Sequence, residues 1–203
     1  MTTAHVVVKP GDEAGAPGEF RQRLLDGMAA TIRERGFHDS TVADIVRHAR
    51  TSRRTFYEHF AGKQDCFIAL LREVNATLRR QIAAAVDPRA PWDIQVRQAI
   101  EAWIAESQRD LPLTLSWIRE LPSLGEGGRQ LQREWIDAFI VLIQDLASTP
   151  ELEAVGIAPP SRQVAVMLIG GLRELIATTV EDGGDIADIT EVAVDATRAL
   201  LGS

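Results

Sequence analysis

The apolar residues of the chain recur at helical spacing from about residue 20 onward. Phe20, Leu24, Met28 and Ile32 lie four apart and Gly36 follows them as a C-cap, so the pattern predicts a first helix that ends there. The preceding segment, residues 1–18, contains glycine and proline but no such period, and it is expected to form a flexible arm.

Two short helices are predicted next. Thr41 and Asp44 have the spacing of a capping box, which starts a second helix at position 40 or 41, and this helix ends near Arg50. Position 51 or 52 caps a third helix, in which Phe56 and Phe60 lie four apart and face inward. Two short helices joined by about three residues form a helix-turn-helix, whose second helix enters the major groove of DNA.

The rest of the chain also has helical periodicity, and no run alternates in the manner of a strand. The glycine-rich residues 125–128 lie between two apolar segments and are interpreted as a loop. The predicted fold is all-α, with an N-terminal three-helix helix-turn-helix domain over 19–65 and a C-terminal helical bundle over 66–203. Further helices are predicted at about 63–86, 92–110, 114–121, 129–147, 161–180 and 186–201.

The helix-turn-helix carries a group of arginines. Arg53 and Arg54 fall in the first turn of the third helix, where the helix dipole disfavours cations by up to about 1 kcal/mol. A phosphate or a guanine edge facing this turn would offset that cost, because arginine presents two parallel donors to guanine. A charge cluster on a helix is more often a solvated face, but the helix spacing and the missing acids favour DNA. The arginines between positions 45 and 57, where no acid occurs, are Arg47, Arg50, Arg53 and Arg54.

The net charge of −7 would argue against a polyanionic partner if it were evenly distributed. Ten basic and nine acidic residues precede Cys66, whereas twelve basic and twenty acidic residues lie in the part that begins with it. The acidic excess therefore lies outside the helix-turn-helix, and the net charge does not exclude DNA as a partner.

The sequence excludes several other classes of protein. A single cysteine rules out an internal disulfide and suits a reducing cytosol, so a cytoplasmic location is expected. No apolar run of about 18 residues and no secretion signal is found, so no membrane span is expected. Because the phosphate-loop, serine-hydrolase and zinc-protease motifs are missing and the histidines are scattered, we expect no enzyme, no catalytic residue, no cofactor and no metal site.

The motifs of the N-terminal region resemble those of a known family. Residues 36–45 (Gly-Phe-His-Asp-Ser-Thr-Val-Ala-Asp-Ile), Ala49, residues 52–60 (Ser-Arg-Arg-Thr-Phe-Tyr-Glu-His-Phe) and Lys63 resemble the DNA-binding domain of TetR-family transcriptional regulators. The similarity covers roughly residues 20–70. It implies a homodimer that binds a palindromic operator in double-stranded DNA, usually as a repressor that is released by a small molecule held in the C-terminal domain.

The resemblance also implies which side chains contact DNA. Arg53 and Arg54 match positions where bases are read, whereas most of the others match positions that touch the DNA backbone. Arg50 departs from the family, which usually has glycine in this turn, and a positive φ would cost an arginine about 1 kcal/mol or more. Either the turn is remodelled or Arg50 contacts a further phosphate, and we favour the second. The expected DNA-binding residues are Thr41, Arg50, Ser52, Arg53, Arg54, Thr55, Tyr57, His59 and Lys63.

The C-terminal half contains two further candidate sites. Aromatic side chains that line a cleft form a hydrophobic ligand pocket, although tryptophan at helical spacing is more often core. Residues 164–172 are apolar around much of their helix, so this helix is widely buried, either in the centre of its own domain or in the dimer interface that the family forms with its last two helices. The pocket candidates are Trp103, Trp117, Trp135 and Phe139. The interface candidates are Val164, Met167, Leu168, Gly171, Leu175, Val194 and Leu201.

The sequence therefore predicts a sequence-specific DNA-binding transcriptional regulator, a repressor relieved by a small-molecule effector whose identity it does not reveal. A regulator that needs no ligand and an activator stay open as alternatives. From another class, a helical scaffold that binds only protein is the main rival, but it would leave Arg53 and Arg54 unexplained.

Overall fold

The computed structural model describes residues 17–154 and 156–202, and this part of the chain is helical and without strands, which confirms the predicted all-α class. Short turns join the α-helices, and two 3-10 helices lie at Leu121–Ser123 and Ile186–Ile189. The α-helices are α1 (Pro17–Arg35), α2 (Val42–Ala49), α3 (Arg53–His59), α4 (Lys63–Ala85), α5 (Trp92–Gln108), α6 (Leu111–Glu120), α7 (Gly125–Ala147), α8 (Pro150–Ala154), α9 (Arg162–Glu181) and α10 (Thr190–Leu201).

Two of the helices that begin earlier than the sequence predicts have a proline in the first turn. The predicted arm lies outside the described residues up to position 16, and its last two residues, Pro17 and Gly18, already belong to α1. Likewise α6 begins at Leu111, and Pro112 stands in its first turn. A proline is tolerated there because the first amides of a helix have no intrahelical acceptor.

The ends of α1, α2 and α3 lie where the sequence predicts them. Gly36 follows α1 with a φ of +75°, which glycine adopts without steric cost. At the start of α2 the Asp44 amide donates to Thr41 Oγ1 at 3.3 Å, and the Thr41 amide donates to Asp44 Oδ2 at 3.1 Å, which confirms the capping box. The hydroxyl of Ser52 accepts from the Thr55 amide at 3.0 Å and caps α3.

The first two helices cross closely at Gly27. A Cβ atom at this position would lie 2.6 Å from the carbonyl oxygen of Ile45 and 3.1 Å from Cβ of Ala49. Only a hydrogen fits between the two backbones, although glycine lowers the stability of a helix interior. The crossing therefore fixes how α2, and with it α3, sits against α1.

A single helix connects the N-terminal domain to the bundle. The ring of Phe67 in α4 stacks on that of Phe37 with a centroid distance of 4.2 Å, and the neighbouring Cys66 is fully buried. α4 continues without a break to Ala85 and so passes through the boundary expected at 65–66. The two domains therefore share α4 rather than a flexible linker.

The glycine-rich residues 125–128 are helical, and the predicted loop is wrong. α7 begins at Gly125 rather than at residue 129. A Cβ at Gly127 would lie 3.0 Å from Cδ1 of Ile68, and one at Gly128 would lie 2.8 Å from Cβ of Leu124. These glycines therefore allow the first turn of α7 to pack against α4 and the preceding 3-10 helix.

We expect Gly27→Ala to destabilise the protein by about 1–3 kcal/mol, because the added methyl group collides with the backbone of α2. Gly18→Ala is the matched control in the same helix, since a Cβ there meets nothing within 4 Å. Chemical denaturation of both variants measures the effect. Equal stability of the two variants would contradict the close crossing.

Candidate functional site

The third helix presents one face to the core and the other to solvent. Phe56 is fully buried, and its ring lies 5.7 Å from that of Phe60, which ends the helix. On the other side Arg53, Arg54 and Tyr57 are exposed, and Tyr57 has 59% of its surface accessible. The buried phenylalanines thus orient α3 so that its arginines and its tyrosine point away from the core.

The first turn of α3 holds two cations and no acid. The side chain of Arg54 is 90% exposed, and its Nε donates to Glu58 at 3.1 Å, one turn later in the same helix. Arg53 forms no ion pair with any residue in the described part of the chain. The two guanidinium groups therefore stand at the positive end of the helix dipole with little neutralising charge, where an anion is favoured.

The turn between α2 and α3 keeps the conformation that glycine would favour. Arg50 has φ 50° and ψ 48° and is, within the described residues, the non-glycine residue with a positive φ. The amides of Arg50 and Thr51 donate back to Arg47 and Val46 at 3.3 and 3.0 Å, the Schellman pattern of a helix end. The turn is therefore not remodelled, and the exposed side chain of Arg50 stands beside the N-terminal turn of α3 at a cost in backbone strain.

The side chain of Arg23 in α1 binds the backbone of this turn. Its Nε and Nη2 donate to the carbonyl oxygen of Ala49 at 3.0 and 2.7 Å, and Nη2 also donates to that of Arg50 at 2.6 Å. A cation at the C-terminal end of α2 also complements its dipole. Nothing in the sequence pattern distinguishes Arg23 from other arginines, because its acceptors are backbone atoms 26 residues away.

The fourth arginine of the group has a structural partner. Arg47 Nη2 donates to Glu34 Oε2 at 2.8 Å, and His48 Nε2 lies 2.8 Å from the same oxygen. Hydrogen bonds from Arg35, Arg47 and His48 hold the pKa of Glu34 at about 2, below its usual 4.5. Arg47 therefore joins α2 to α1, and the arginines free to face a ligand are those of the turn and of α3.

Lys63 is placed differently from the expectation. Its ammonium donates to the carbonyl oxygens of Phe37, His38 and Ser40 at 2.9, 3.0 and 2.9 Å and lies 4.5 Å above the Phe37 ring. All three of its donors are thus used to hold the turn between α1 and α2. A direct phosphate contact would have to displace one of these bonds, so the structure gives Lys63 a structural role.

The remaining candidates lie around α3 with part of their hydrogen-bonding capacity in use. The hydroxyls of Ser52 and Thr55 lie 2.9 Å apart, and that of Thr41 donates to Asp44 at 2.6 Å. His59 is half-buried at the end of α3, and its ring lies 6.5 Å from that of Phe60.

The predicted aromatic pocket is only partly a pocket. Trp103 and Trp117 line a cavity of about 300 Å³ between α1, α4, α5, α6 and α9, and Trp103 and Phe139 line a smaller apolar one of about 70 Å³. Trp135 lines neither cavity. It is buried between the other three aromatic rings, with centroids 4.8 to 6.4 Å away, so it packs as a core residue behind the two cavities.

The predicted interface residues divide between core and surface. Leu168 and Val194 are buried in the core of the chain itself, so they have little surface left for contact with a second copy. Met167 and Gly171 are exposed, whereas Val164, Leu175 and Leu201 are half-buried. Val166, Gly170 and Val192 of the same two helices are also exposed.

The exposed side of α9 is unusually apolar. Met167 is 64% exposed, and a Cβ at Gly170 or Gly171 would meet nothing within 4 Å. Among the described residues α9 is long and apolar enough to cross a membrane by length and composition alone, a test that core helices also pass, and a third of this stretch is buried in the chain. The neighbouring helix α10 adds the exposed Val192.

The N-terminal part of this site matches a known family. The family model described as bacterial regulatory proteins, tetR family, matches residues 24–70, which run from α1 into the first turns of α4. The match includes the arginines of the turn and of α3.

Curated relatives are similar over a part of the chain. The chain is 36% identical over 62 residues to the uncharacterized HTH-type transcriptional regulator YdgC of Bacillus subtilis, covering 30% of this chain and 32% of that one. It is 30% identical over 97 residues to the HTH-type transcriptional repressor KstR2 of Rhodococcus jostii, covering 46% and 48%. The chain thus matches a third to a half of the length of these relatives.

Solved structures share the whole fold. The transcriptional regulator FadR of Bacillus subtilis, solved in complex with stearoyl-CoA, superposes with a TM-score of 0.74 over 89% of this chain and 97% of that one. The sequence identity is 19%, so the likeness concerns the fold, including the C-terminal bundle that the family model does not reach.

We expect Arg50→Gly to stabilise the protein by about 1 kcal/mol, because it relieves an arginine from a left-handed conformation. Arg47→Gly, placed inside α2 with an ordinary φ, is the control and is expected to destabilise. Thermal unfolding in the absence of DNA measures both. A loss of stability in Arg50→Gly would show that its side chain stabilises the turn.

Proposed function

We propose that the chain is a sequence-specific transcriptional regulator of the tetR family, whose model matches residues 24–70, and that it binds double-stranded DNA through α3. The observation that carries the proposal is the exposed first turn of α3, where Arg53 and Arg54 stand at the positive end of the helix with buried Phe56 behind them. A folding argument alone would place acids there, whereas a nucleic acid supplies the missing negative charge.

Within this interface the residues have different tasks. Arg53 is without an ion pair in the described part of the chain and reads a base, while Arg50, Tyr57 and the hydroxyls near the α3 start hold phosphates and fix register. Lys63 and Arg23 act indirectly, because they hold the two turns that present α3. In this division, few side chains determine which DNA sequence is bound, whereas many contribute to the affinity for DNA.

The regulator acts as a repressor that a small molecule relieves. Two relatives support this: KstR2 is named a repressor, and FadR was solved with stearoyl-CoA bound. In the present chain the cavity of about 300 Å³ between α1 and the bundle provides room for a ligand beside the DNA-binding domain. A ligand lowers DNA affinity only if it binds better to a shape of the protein that does not fit the operator.

The regulator is a homodimer that pairs through α9 and α10 and binds a palindromic operator in the cytoplasm. Apolar Val166, Met167 and Val192 are exposed there, and the open space at Gly170 and Gly171 lets a second backbone approach. Two copies related by a twofold axis place two α3 helices in successive major grooves, about 34 Å apart.

Footprinting of the purified protein on the DNA upstream of its own coding region tests the proposal. We expect protection of two half-sites related by a dyad, with centres about one helical turn apart. The absence of any complex with duplex DNA at low salt would reject the function, and binding without protection of a defined site would reject its specificity.

We expect Arg53→Ala to weaken operator binding by about 1–3 kcal/mol and to relax the preference at one base pair of each half-site, because a bidentate base contact is lost. Arg129→Ala is the control, since Arg129 is equally cationic but lies in α7 and pairs with Glu126. Titrations with operator and random duplexes separate the effects. Equal losses on both duplexes would assign Arg53 to the phosphates instead.

We expect Met167→Glu to convert the dimer to a monomer of 22.3 kDa, because a carboxylate would be buried in the apolar contact between two α9 helices. Val141→Glu changes an equally exposed valine on α7 and is expected to leave the dimer intact. Sedimentation gives the masses, and circular dichroism verifies folding. A folded, dimeric Met167→Glu protein would place the interface elsewhere.

A further inference from the structure

The cavity between α1 and the bundle contains a cation without a partner. Arg173 lines it from α9, and its guanidinium carbon lies 4.9 Å from the Trp135 ring centre and 5.7 Å from that of Trp117. The Nε of Arg173 is buried and has no hydrogen-bond partner, and burial lowers the pKa of this group. The adjacent Glu174 does not neutralise it by direct contact, because its carboxylate binds Arg119 at 2.9 Å.

A second polar group in the same cavity is also unsatisfied. Asn75 in α4 is only 7% exposed, and its Nδ2 is buried without an acceptor. Buried amides and guanidinium groups rarely lack hydrogen bonds, because burial removes their hydrogen bonds to water and an unpaired group gains none within the protein. Two residues that each have an unsatisfied buried donor, on helices far apart in the sequence, therefore line one cavity.

The acids that line this cavity are already engaged. Arg33 binds Asp110 at 2.7 Å and Arg109 binds Glu106 at 3.1 Å. Of the other two acids, Glu73 pairs with Arg21, and Asp26 accepts a hydrogen bond from Gln22 at 3.1 Å. Within the described residues Arg173 is thus the cation of the cavity wall that lacks a carboxylate. The cavity therefore combines a half-buried positive charge with hydrogen-bond donors.

The wall is mixed, and its apolar side chains give the occupant room for an apolar body as well as an acceptor. The cavity of about 300 Å³ is partly open and lies at the small end of ligand pockets. The apolar side chains that line it, besides the two tryptophans, are Ala29, Leu70, Val74, Leu78, Leu113, Ile118 and Ile176.

We propose that this cavity binds a small carboxylic acid with an aliphatic or aromatic body, its carboxylate held by the guanidinium of Arg173 and the amide of Asn75. Carboxylates match arginine with two parallel hydrogen bonds, and such bonds are strong when water is excluded. This inference rests on the proposed function, since it names the chemical class of the effector.

The position of the cavity couples the ligand to α1. The Arg33–Asp110 ion pair joins α1 to the N-cap residue of α6, and both residues line the cavity. A carboxylate that enters between α1 and α9 also competes with Asp110 for cations in the same space. Binding of the acid therefore acts on the contact that sets the DNA-binding domain against the bundle.

Calorimetry with phenylacetate and hexanoate, each paired with its neutral amide, tests the proposal on the full chain without DNA. We expect at least one acid to bind and to raise Tm, and its amide to bind about tenfold more weakly or not at all, because the charge-assisted hydrogen bonds are lost. Equal binding of acid and amide, or no binding of either acid, would overturn the proposal.

Two variants locate the site. Arg173→Gln and Asn75→Leu are each expected to weaken binding of the acid about tenfold or more, whereas Arg129→Gln, an exposed arginine on α7, leaves it unchanged. Since Arg173→Gln removes an unpaired buried charge, the ligand-free variant should unfold at the same or a higher temperature. Unchanged affinity in a folded Arg173→Gln or Asn75→Leu protein would refute the site.

The outcome is independent of DNA binding. If the acid binds but the protein forms no complex with duplex DNA, the proposed function fails and the ligand site stands. If operator binding is observed while neither acid is bound, the function stands and this inference fails.

Discussion

The crossing of α1 over α2 at Gly27 determines the direction in which α3 points. At this crossing a backbone oxygen and a backbone nitrogen of α2 lie so close to α1 that no side chain fits. Arg23 binds the carbonyls at the end of α2, and Lys63 binds those between α1 and α2, so cations satisfy the acceptors that the two helix ends leave open. The proposed DNA-binding surface is therefore held in place mainly through backbone atoms, which leaves the exposed side chains of α3 available to contact DNA.

The N-terminal domain was predictable because its signals are local. Each signal acts within about one turn of helix. Thr41 caps α2, Gly36 has a left-handed conformation after α1, and Phe56 is buried, as the sequence spacing predicts. The backbone contacts of Arg23 and Lys63 could not be predicted, because their acceptors lie more than 20 residues away along the chain. A cation at a position that resembles a phosphate contact can thus also bind backbone carbonyl oxygens of its own chain. The sequence does not reveal such contacts, whereas the fold does.

The C-terminal half was predictable in class but not in detail. The apolar positions of α9 surround the helix, so no period separates the side that packs inward at Leu168 from the side that is exposed at Met167. The sequence likewise does not distinguish a tryptophan in the core from one that lines a cavity. Of Trp117 and Trp135, Trp117 borders the larger cavity and Trp135 does not. Arg173, placed just after an apolar run, was overlooked because an isolated arginine near the middle of a helix usually reaches solvent.

The shared helix α4 has a mechanical consequence. Lys63 at its first turn and Asn75 at the cavity are twelve residues apart, roughly 18 Å along one rigid axis. A small tilt of α4 at the cavity would therefore also move Lys63 and the turn between α1 and α2 that Lys63 binds. In the proposed homodimer the two copies of α4 are related by a twofold axis, so equal displacements in both subunits would change the distance between the two α3 helices by twice the displacement of one.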